Sequence, residues 1–319
     1  MPLAETVLTL LGAVLLDLLF GEPPGPLHPV VWMGHWLNGW WRWRPQQGRA
    51  RQFLFGMTAV LLGAALFALP GLVLARARVP LLWLLSIPLL KVTFAIRALL
   101  RAGGEVQEAL EQGNLPEARR RVRWHLVGRE TADLPEPLVV SATVESLAEN
   151  ITDGLTGPLF WFALFGLPGA WAYRFCNTAD SMWGHHRPET EYLGKFAARA
   201  DDVLNWLPAR LTALLIVAGA ALAGEDPRGA WRTMWAQHRR TLSPNAGWTM
   251  AAMAGALGVT LEKVGYYRLE GGDGPLDART VRRALRVVRW TMALMVGGMA
   301  LLVGLIGPVQ LPWAGSSWP

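Results

Sequence analysis

The stretch ESLAENITDG at 145–154 carries Glu145, Glu149 and Asp153 at a spacing of four. On a helix these carboxylates share a face, where like charges four apart repel by roughly 0.2–0.5 kcal/mol per pair. A cation is expected to offset them. An acidic row of this kind suits Mg2+, which takes one or two carboxylates with substrate phosphates and keeps several waters. Asp180, Asp201 and Asp202 could complete such a site. Further polar clusters stand at the edges of apolar runs: HPVVWMG (28–34), NTADSMWG (177–184), ARADDVLNWLPAR (198–210) and SPNAGW (243–248). Carboxylates and amides in such places are costly and are functional candidates. Helix capping is the plain alternative; it suits Ser243 before Pro244 and Asn177. It does not suit ESLAENITDG, because Glu145 and Glu149 fall inside the helix while Asn150 and Asp153 carry the polar face into an apolar run.

Three basic residues join these candidates. Lys91 lies in the middle of SIPLLKVTFAIRALL, where it either snorkels to an interface or points inward to an anionic ligand. Arg199 and Arg210 could clamp phosphate or carboxylate. There is no GxxxxGK[ST] motif, and GGDG at 271–274 is not a dinucleotide fingerprint, so any nucleotide site is unorthodox. No HExxH occurs, and the adjacent His185-His186 read as interfacial polar residues, since neighbours on a regular backbone diverge. A single cysteine, Cys176, excludes an internal disulfide and a cysteine zinc site. It reads as a small apolar filler.

The elements that must position these residues belong to a membrane protein. Of 319 residues, 52% are hydrophobic and only 17% charged, where a soluble domain has about 25% charged. Apolar runs at 3–20, 53–75, 80–100, 155–176, 206–224 and 290–313 mostly reach the ~20 residues a spanning helix needs. The expected architecture is an all-α, polytopic, membrane-embedded single domain over 1–319, with five or six segments and polar loops at 21–52, 101–154, 177–205 and 225–288. The first run lacks a basic leader region and cleavage site, so it is read as a retained helix.

The net charge of +6 and WWRWRPQQGRAR at 40–51 could suggest nucleic acid. Trp beside Arg at the end of an apolar run instead fits the membrane interface, with Arg42, Arg44, Arg49 and Arg51 placing 21–52 in the cytoplasm. Asn114, with Pro116 and Glu117 following, is expected to start a helix. The 225–288 region suggests helices near 228–240 and 245–258, a Gly-rich loop and a basic helix at 278–288. GLPG in the middle of 155–176 would kink or break a helix. The run is therefore either a full span or a re-entrant pair of half-helices, and broken helices persist at membrane depth only when buried in protein or lining a cavity.

The wording and order of these clusters resemble the cobalamin-biosynthesis family of membrane-bound adenosylcobinamide-phosphate synthases. The likeness runs through DLLFGEPPGPLHPVVWMG, VGRETADL, VESLAENITDGLTGPLFWFALFGLPGAWAYRFCNTADSMWG, ARADDVLNWLPARLTALL and SPNAGWTMAAMAGALGV, nearly the full chain. Glu22 stands where Asp is commoner in that family, and His185-His186-Arg187 where a Tyr-Lys-Asn-like tripeptide is usual. Glu145, Glu149, Asn150, Asp153, Asn177, Asp180, Asp201, Asp202 and Asn205 follow the pattern.

The resemblance implies amide-bond formation between (adenosyl)cobyric acid and aminopropanol or its O-phosphate, driven by ATP and Mg2+. The site would open to the cytoplasm from the inner membrane, among lipid and other cobalamin-pathway enzymes. In that scheme Glu145, Glu149, Asn150, Asp153, Asn177 and Asp180 are catalytic. Glu145, Glu149, Asp153, Asp180, Asp201 and Asp202 hold the metal, and Lys91, Arg199, Arg210, Asn205 and Asn245 bind the cofactor. Two alternatives stay open: an ion-coupled transporter, which also uses intramembrane carboxylates and broken helices, and a non-catalytic scaffold for corrinoid enzymes.

Overall fold

A computed structural model describes residues 3–76, 81–128, 130–184 and 191–306. The connection at 77–80, His185-His186-Arg187 and the end of the last apolar run lie outside them. The helices are α1 (Leu3–Phe20), α2 (Pro29–Arg42), α3 (Arg49–Arg76), α4 (Ser86–Lys91), α5 (Ile96–Glu111), α6 (Leu115–His125), α7 (Glu136–Ile151), α8 (Gly157–Trp183), α9 (Glu191–Leu204), α10 (Trp206–Ala223), α11 (Pro227–Gln237), α12 (Ala246–Leu257) and α13 (Ala278–Ile306). Among the described residues six stretches are long and apolar enough to cross a bilayer: Leu3–Phe20, Arg49–Arg76, Leu82–Glu111, Glu136–Trp183, Trp206–Ala223 and Ala278–Leu305. The chain is thus a multi-pass helical membrane protein.

Local chemistry sets the helix starts. Asn114 Oδ1 accepts from Glu117 N at 3.2 Å and begins α6, and Asp226 Oδ1 accepts from Arg228 N at 2.9 Å and begins α11. Ser243 Oγ accepts from the backbone N–H of Asn245 and Ala246, at 3.2 and 3.3 Å, at the head of α12. The basic 278–288 segment and the last apolar run form one helix, because nothing between them breaks the pattern. An antiparallel pair, β1 (Thr260–Lys263) and β2 (Tyr267–Glu270), adds to the all-helical expectation, with buried Leu261 opposite buried Leu269. Gly265, at φ 79°, makes its turn.

The chain divides into two compact units, one of Met1–Ala95, Gly157–Leu204 and Gly298–Pro319, the other of Ile96–Thr156 and Asn205–Gly297. In the first, α8 is two helices joined at Gly166, whose φ of 66° and ψ of −158° interrupt the helix in a conformation open essentially to glycine alone. The arms fold back on each other. A Cβ on Gly157 would strike the Tyr173 ring, and one on Gly169 would lie 2.5 Å from Trp161 O and 2.7 Å from Phe165 Cβ. The 155–176 run is therefore not one straight span: the chain folds back at GLPG. Trp161 Nε1 donates to Leu204 O at 3.1 Å and Trp171 Nε1 to Leu89 O at 2.9 Å, anchoring an arm each.

The 80–100 run is not one helix. It stops at Lys91 and resumes at Ile96, with Thr93 Oγ1 donating to Leu90 O at 2.7 Å. At this break Lys91 Nζ lies 3.3 Å from Asp17 Oδ1 and 3.0 Å from Glu22 Oε1. Glu22 Oε2 is 2.6 Å from His28 Nε2. Lys91 and Asp17 are 3% and 0% exposed, so the lysine neither snorkels nor waits for an anionic ligand: carboxylates of its own chain neutralise it. Burial alone would raise the Glu22 carboxyl, but hydrogen bonds and charge from His28 and Lys91 hold it below its ordinary value.

In the second unit α12 is buried along its whole length, against α7, α10, α11 and the strand pair. Its sequence AGWTMAAMAGAL supplies the small residues that let helix backbones approach closely.

Two outcomes follow for thermal unfolding in detergent. Gly157→Val should force the hairpin arms apart and lower stability by about 1–3 kcal/mol or more, while Gly154→Ala, where a Cβ meets open space, should leave the melting temperature nearly unchanged. Lys91→Met strands buried carboxylate charge and should cost about 3–5 kcal/mol. Adding Asp17→Asn should recover part of that loss; a double variant melting below the single one would contradict the pairing.

Candidate functional site

Within the second unit the ESLAENITDG segment does not remain one α-helix. α7 runs to Ile151, and residues Thr152–Thr156 form a π-helical turn before α8 begins. Single π turns inside α-helices are frequent at functional sites. Here the turn separates Asp153 from the helical repeat that carries Glu145 and Glu149.

The three carboxylates have different surroundings. Glu145 is 5% exposed. Ser141 Oγ donates to its Oε1 at 2.6 Å and Tyr267 O–H to its Oε2 at 2.5 Å, while Ser141 Oγ accepts from Glu262 N at 2.7 Å. Glu145 thereby links α7 to both strands of the β1–β2 pair. Glu149 and Asp153 are half-buried. Asp153 Oδ1 accepts from Asn205 Nδ2 at 3.1 Å, and Asn205, 2% exposed, precedes α10. Asn150 turns its amide back on its own helix, donating to Ser146 O at 2.8 Å and Ser146 Oγ at 3.0 Å. Thr152 and Thr156 keep buried hydroxyls with no protein partner among the described residues.

Arg210 and Asn245 also meet in this unit. Arg210 Nη1 donates to Trp206 O at 2.6 Å and Asn245 Oδ1 at 3.2 Å, and its guanidinium lies 4.3 Å from the Trp206 ring centroid and 4.9 Å from that of Trp248. Trp248 stacks on His238, centroids 3.9 Å apart. This arginine is fixed by an aromatic frame.

Asn177, Asp180, Arg199, Asp201 and Asp202 belong to the first unit, as does Lys91. Asn177 lies inside α8 and caps nothing; its Nδ2 donates to Asp201 Oδ1 at 3.2 Å. Burial pushes the Asp202 carboxyl above its ordinary value, and Arg199, 3.8 Å away, partly offsets this. Arg199 is mostly solvent-exposed.

Among the described residues no group of three or more His, Cys, Asp or Glu side chains could hold a metal ion unaided. The six carboxylates expected as metal ligands do not make a ready cage. Glu149 and Asp153, half-buried hard oxygen donors, still fit a Mg2+ that takes one or two carboxylates and completes its shell with phosphate and water. Sequence reasoning missed Ser141, one turn before Glu145, and Tyr267, distant in the chain, which hold Glu145, and it missed Asp17 and the meeting of Glu22 and His28 with Lys91. DLLFGEPPGPLHP, with its charged residues beside an apolar run, was the available signal for the latter three.

Comparison with known proteins agrees with the sequence motifs. The family model described as CobD/CbiB protein matches residues 10–288. The cobalamin biosynthesis protein CobD of Dehalococcoides mccartyi is 43% identical over 294 residues, covering 89% of this chain and 93% of that protein. The probable cobalamin biosynthesis protein CobD of Methanothermobacter thermautotrophicus is 43% identical over 288 residues, 90% of this chain and 95% of that protein. CobD of Geobacter metallireducens is 41% identical over 315 residues, 94% and 96% of the two chains. No solved structure matches. With the match extending from α1 into α13 and identity above 40% along nearly all of both chains, the protein belongs to the CobD/CbiB family of cobalamin biosynthesis proteins.

Proposed function

We propose that the chain joins the free carboxylate of (adenosyl)cobyric acid to aminopropanol or its O-phosphate, forming an amide and giving (adenosyl)cobinamide or its phosphate. The observation that supports this most directly is the pair Glu149 and Asp153, half-buried at a π turn in a cobalamin-biosynthesis family member. Condensing a carboxylate with an ammonium is uphill in water, so ATP and Mg2+ would supply the driving force, with Glu149 and Asp153 as the metal's oxygen donors.

The chain's own residues would do the rest. Arg210, held by Asn245 and by the Trp206 and Trp248 rings, is a preoriented cation for negative charge that builds on the transferred group, the kind of stabilisation that is worth most when no reorganisation is needed. The amine attacks only when deprotonated; where Mg2+ takes just one of the two carboxylates, the other of Glu149 and Asp153 is the candidate base. Asn205 fixes Asp153, and Ser141 and Tyr267 fix Glu145, so that neither carboxylate drifts when substrate binds. Trp206, about half exposed, offers an apolar face to the corrin. The site would face the cytoplasm, where ATP is found.

Purified protein in detergent, given cobyric acid, ATP, Mg2+ and either aminopropanol or its phosphate, should yield a corrinoid whose mass rises by one amine donor less one water. Glu149→Gln should abolish that product while the variant still inserts in the membrane. Full activity in Glu149→Gln would remove this residue from the mechanism, and substrate flux in proteoliposomes with no covalent product would favour a transporter.

A further inference from the structure

The connection between α2 and α3, in the first unit, gathers positive charge that the neighbouring sequence never balances. Arg42, Arg44, Arg49 and Arg51 crowd together, and no carboxylate occurs between Glu22 and Glu105. Two of the four are taken up by aromatic rings. The Arg44 guanidinium lies 4.3 Å from the Trp41 ring centroid, and that of Arg49 lies 5.3 Å from the Tyr192 centroid. Arg42 and Arg51 are exposed, and among the described residues no carboxylate pairs with either.

Beside these two arginines lies a cleft of about 510 Å³, walled by His35, Trp36, Gly39, Trp40, Trp43 and Phe55. Small-ligand sites span about 300–1,000 Å³. Its walls are fixed: Trp36 Nε1 donates to Ala59 O at 3.1 Å, Trp36 and Trp40 have centroids 5.9 Å apart, and Trp40 meets Phe55 edge-on at 5.1 Å. Gly39 leaves the space open, since a Cβ there would meet nothing within 4 Å. Trp43, at the mouth, is 82% exposed.

The cleft has two chemically different ends. Arg51 stands one turn before Phe55 on α3, and Arg42 three residues after Gly39 on α2, spacings that put each on the side of its helix that faces the cleft. In the other direction the contacts pass from Trp40 and Phe55 to Trp36 and Ala59, following α3 into the apolar body of the candidate span Arg49–Arg76. Trp beside Arg would mark any membrane interface. An aromatic groove that enters the apolar layer below two unmatched guanidinium groups is more selective. A small water-soluble anion would use only the arginines, and an uncharged apolar molecule only the rings.

We infer that this cleft binds an anionic phospholipid, with its phosphate at Arg42 and Arg51 and an acyl chain against Trp36, Trp40 and Phe55. Guanidinium pairs well with phosphate oxygens, and basic residues at a membrane surface favour anionic lipid. None of these residues takes part in the proposed amide synthesis, so the lipid site stands or falls separately.

The test uses the full chain in phosphatidylcholine nanodiscs that contain a trace of phosphatidylglycerol or phosphatidylcholine carrying a photoreactive diazirine in one acyl chain. Crosslinks are mapped by peptide mass spectrometry. The phosphatidylglycerol probe should label residues 35–55 about 10- to 30-fold more than the phosphatidylcholine probe, the scale for two arginines at an anionic surface. Arg42→Gln combined with Arg51→Gln should erase that preference. Gly39→Leu, which grows into the open space, should suppress labelling there by both probes while every charge stays in place. Equal labelling of the wild type by the two probes overturns the proposal, as does a preference that survives the double variant or labelling undiminished in Gly39→Leu. Displacement of the label by inorganic phosphate would make this a free-anion site, and displacement by cobyric acid a corrinoid site; either result rejects the lipid. If the variants do not fold, competition in the wild type decides: unlabelled phosphatidylglycerol should displace the probe where phosphatidylcholine does not, and equal displacement by both rejects the site.

Discussion

A charge withdrawn from water must be matched, and the interaction of Lys91 with Asp17 and Glu22 shows how the first unit meets that demand. The lysine ends one helix and is held by a carboxylate inside α1 and by another just beyond it. His28 extends the cluster by gripping Glu22 and, through Nδ1, accepting from Val30 N at the head of α2. One buried ionic group therefore ties the ends of α1, α2 and α4. Replacing such a cluster with apolar side chains need not weaken a protein, but removing a single member leaves the others stranded. The arrangement constrains these helices together.

The second unit solves a related problem with neutral donors. Glu145 and Asp153 take hydrogen bonds from hydroxyls and an amide. The π turn contributes to this division. It takes Asp153 out of the α-helical repeat and lets it meet Asn205, while Glu149 stays on the last turn of α7.

Much of this was legible from the residues. Hydropathy located the six long apolar stretches, GLPG flagged the fold-back as one of two options, and Asn114 and Ser243 marked helix starts through short-range capping chemistry. The polar clusters proved to contain each other's partners: Asp153 with Asn205, Asn177 with Asp201, and Arg210 with Asn245. What stayed hidden depends on contacts distant in the chain or on backbone states without a residue signature. Nothing in LLKVTF announces that Lys91 will meet residues of the N-terminal segment. The four-residue strands are too short for their alternation to stand out, and Thr152–Thr156 could pass for ordinary helix.

The hairpin at Gly166 also limits how a large molecule can reach this unit. Its arms touch through glycine on one side and an aromatic ring or main chain on the other, leaving no seam that could part without losing the contacts that define it. The two arms therefore behave as one solid body, presenting their outer faces with no passage between them.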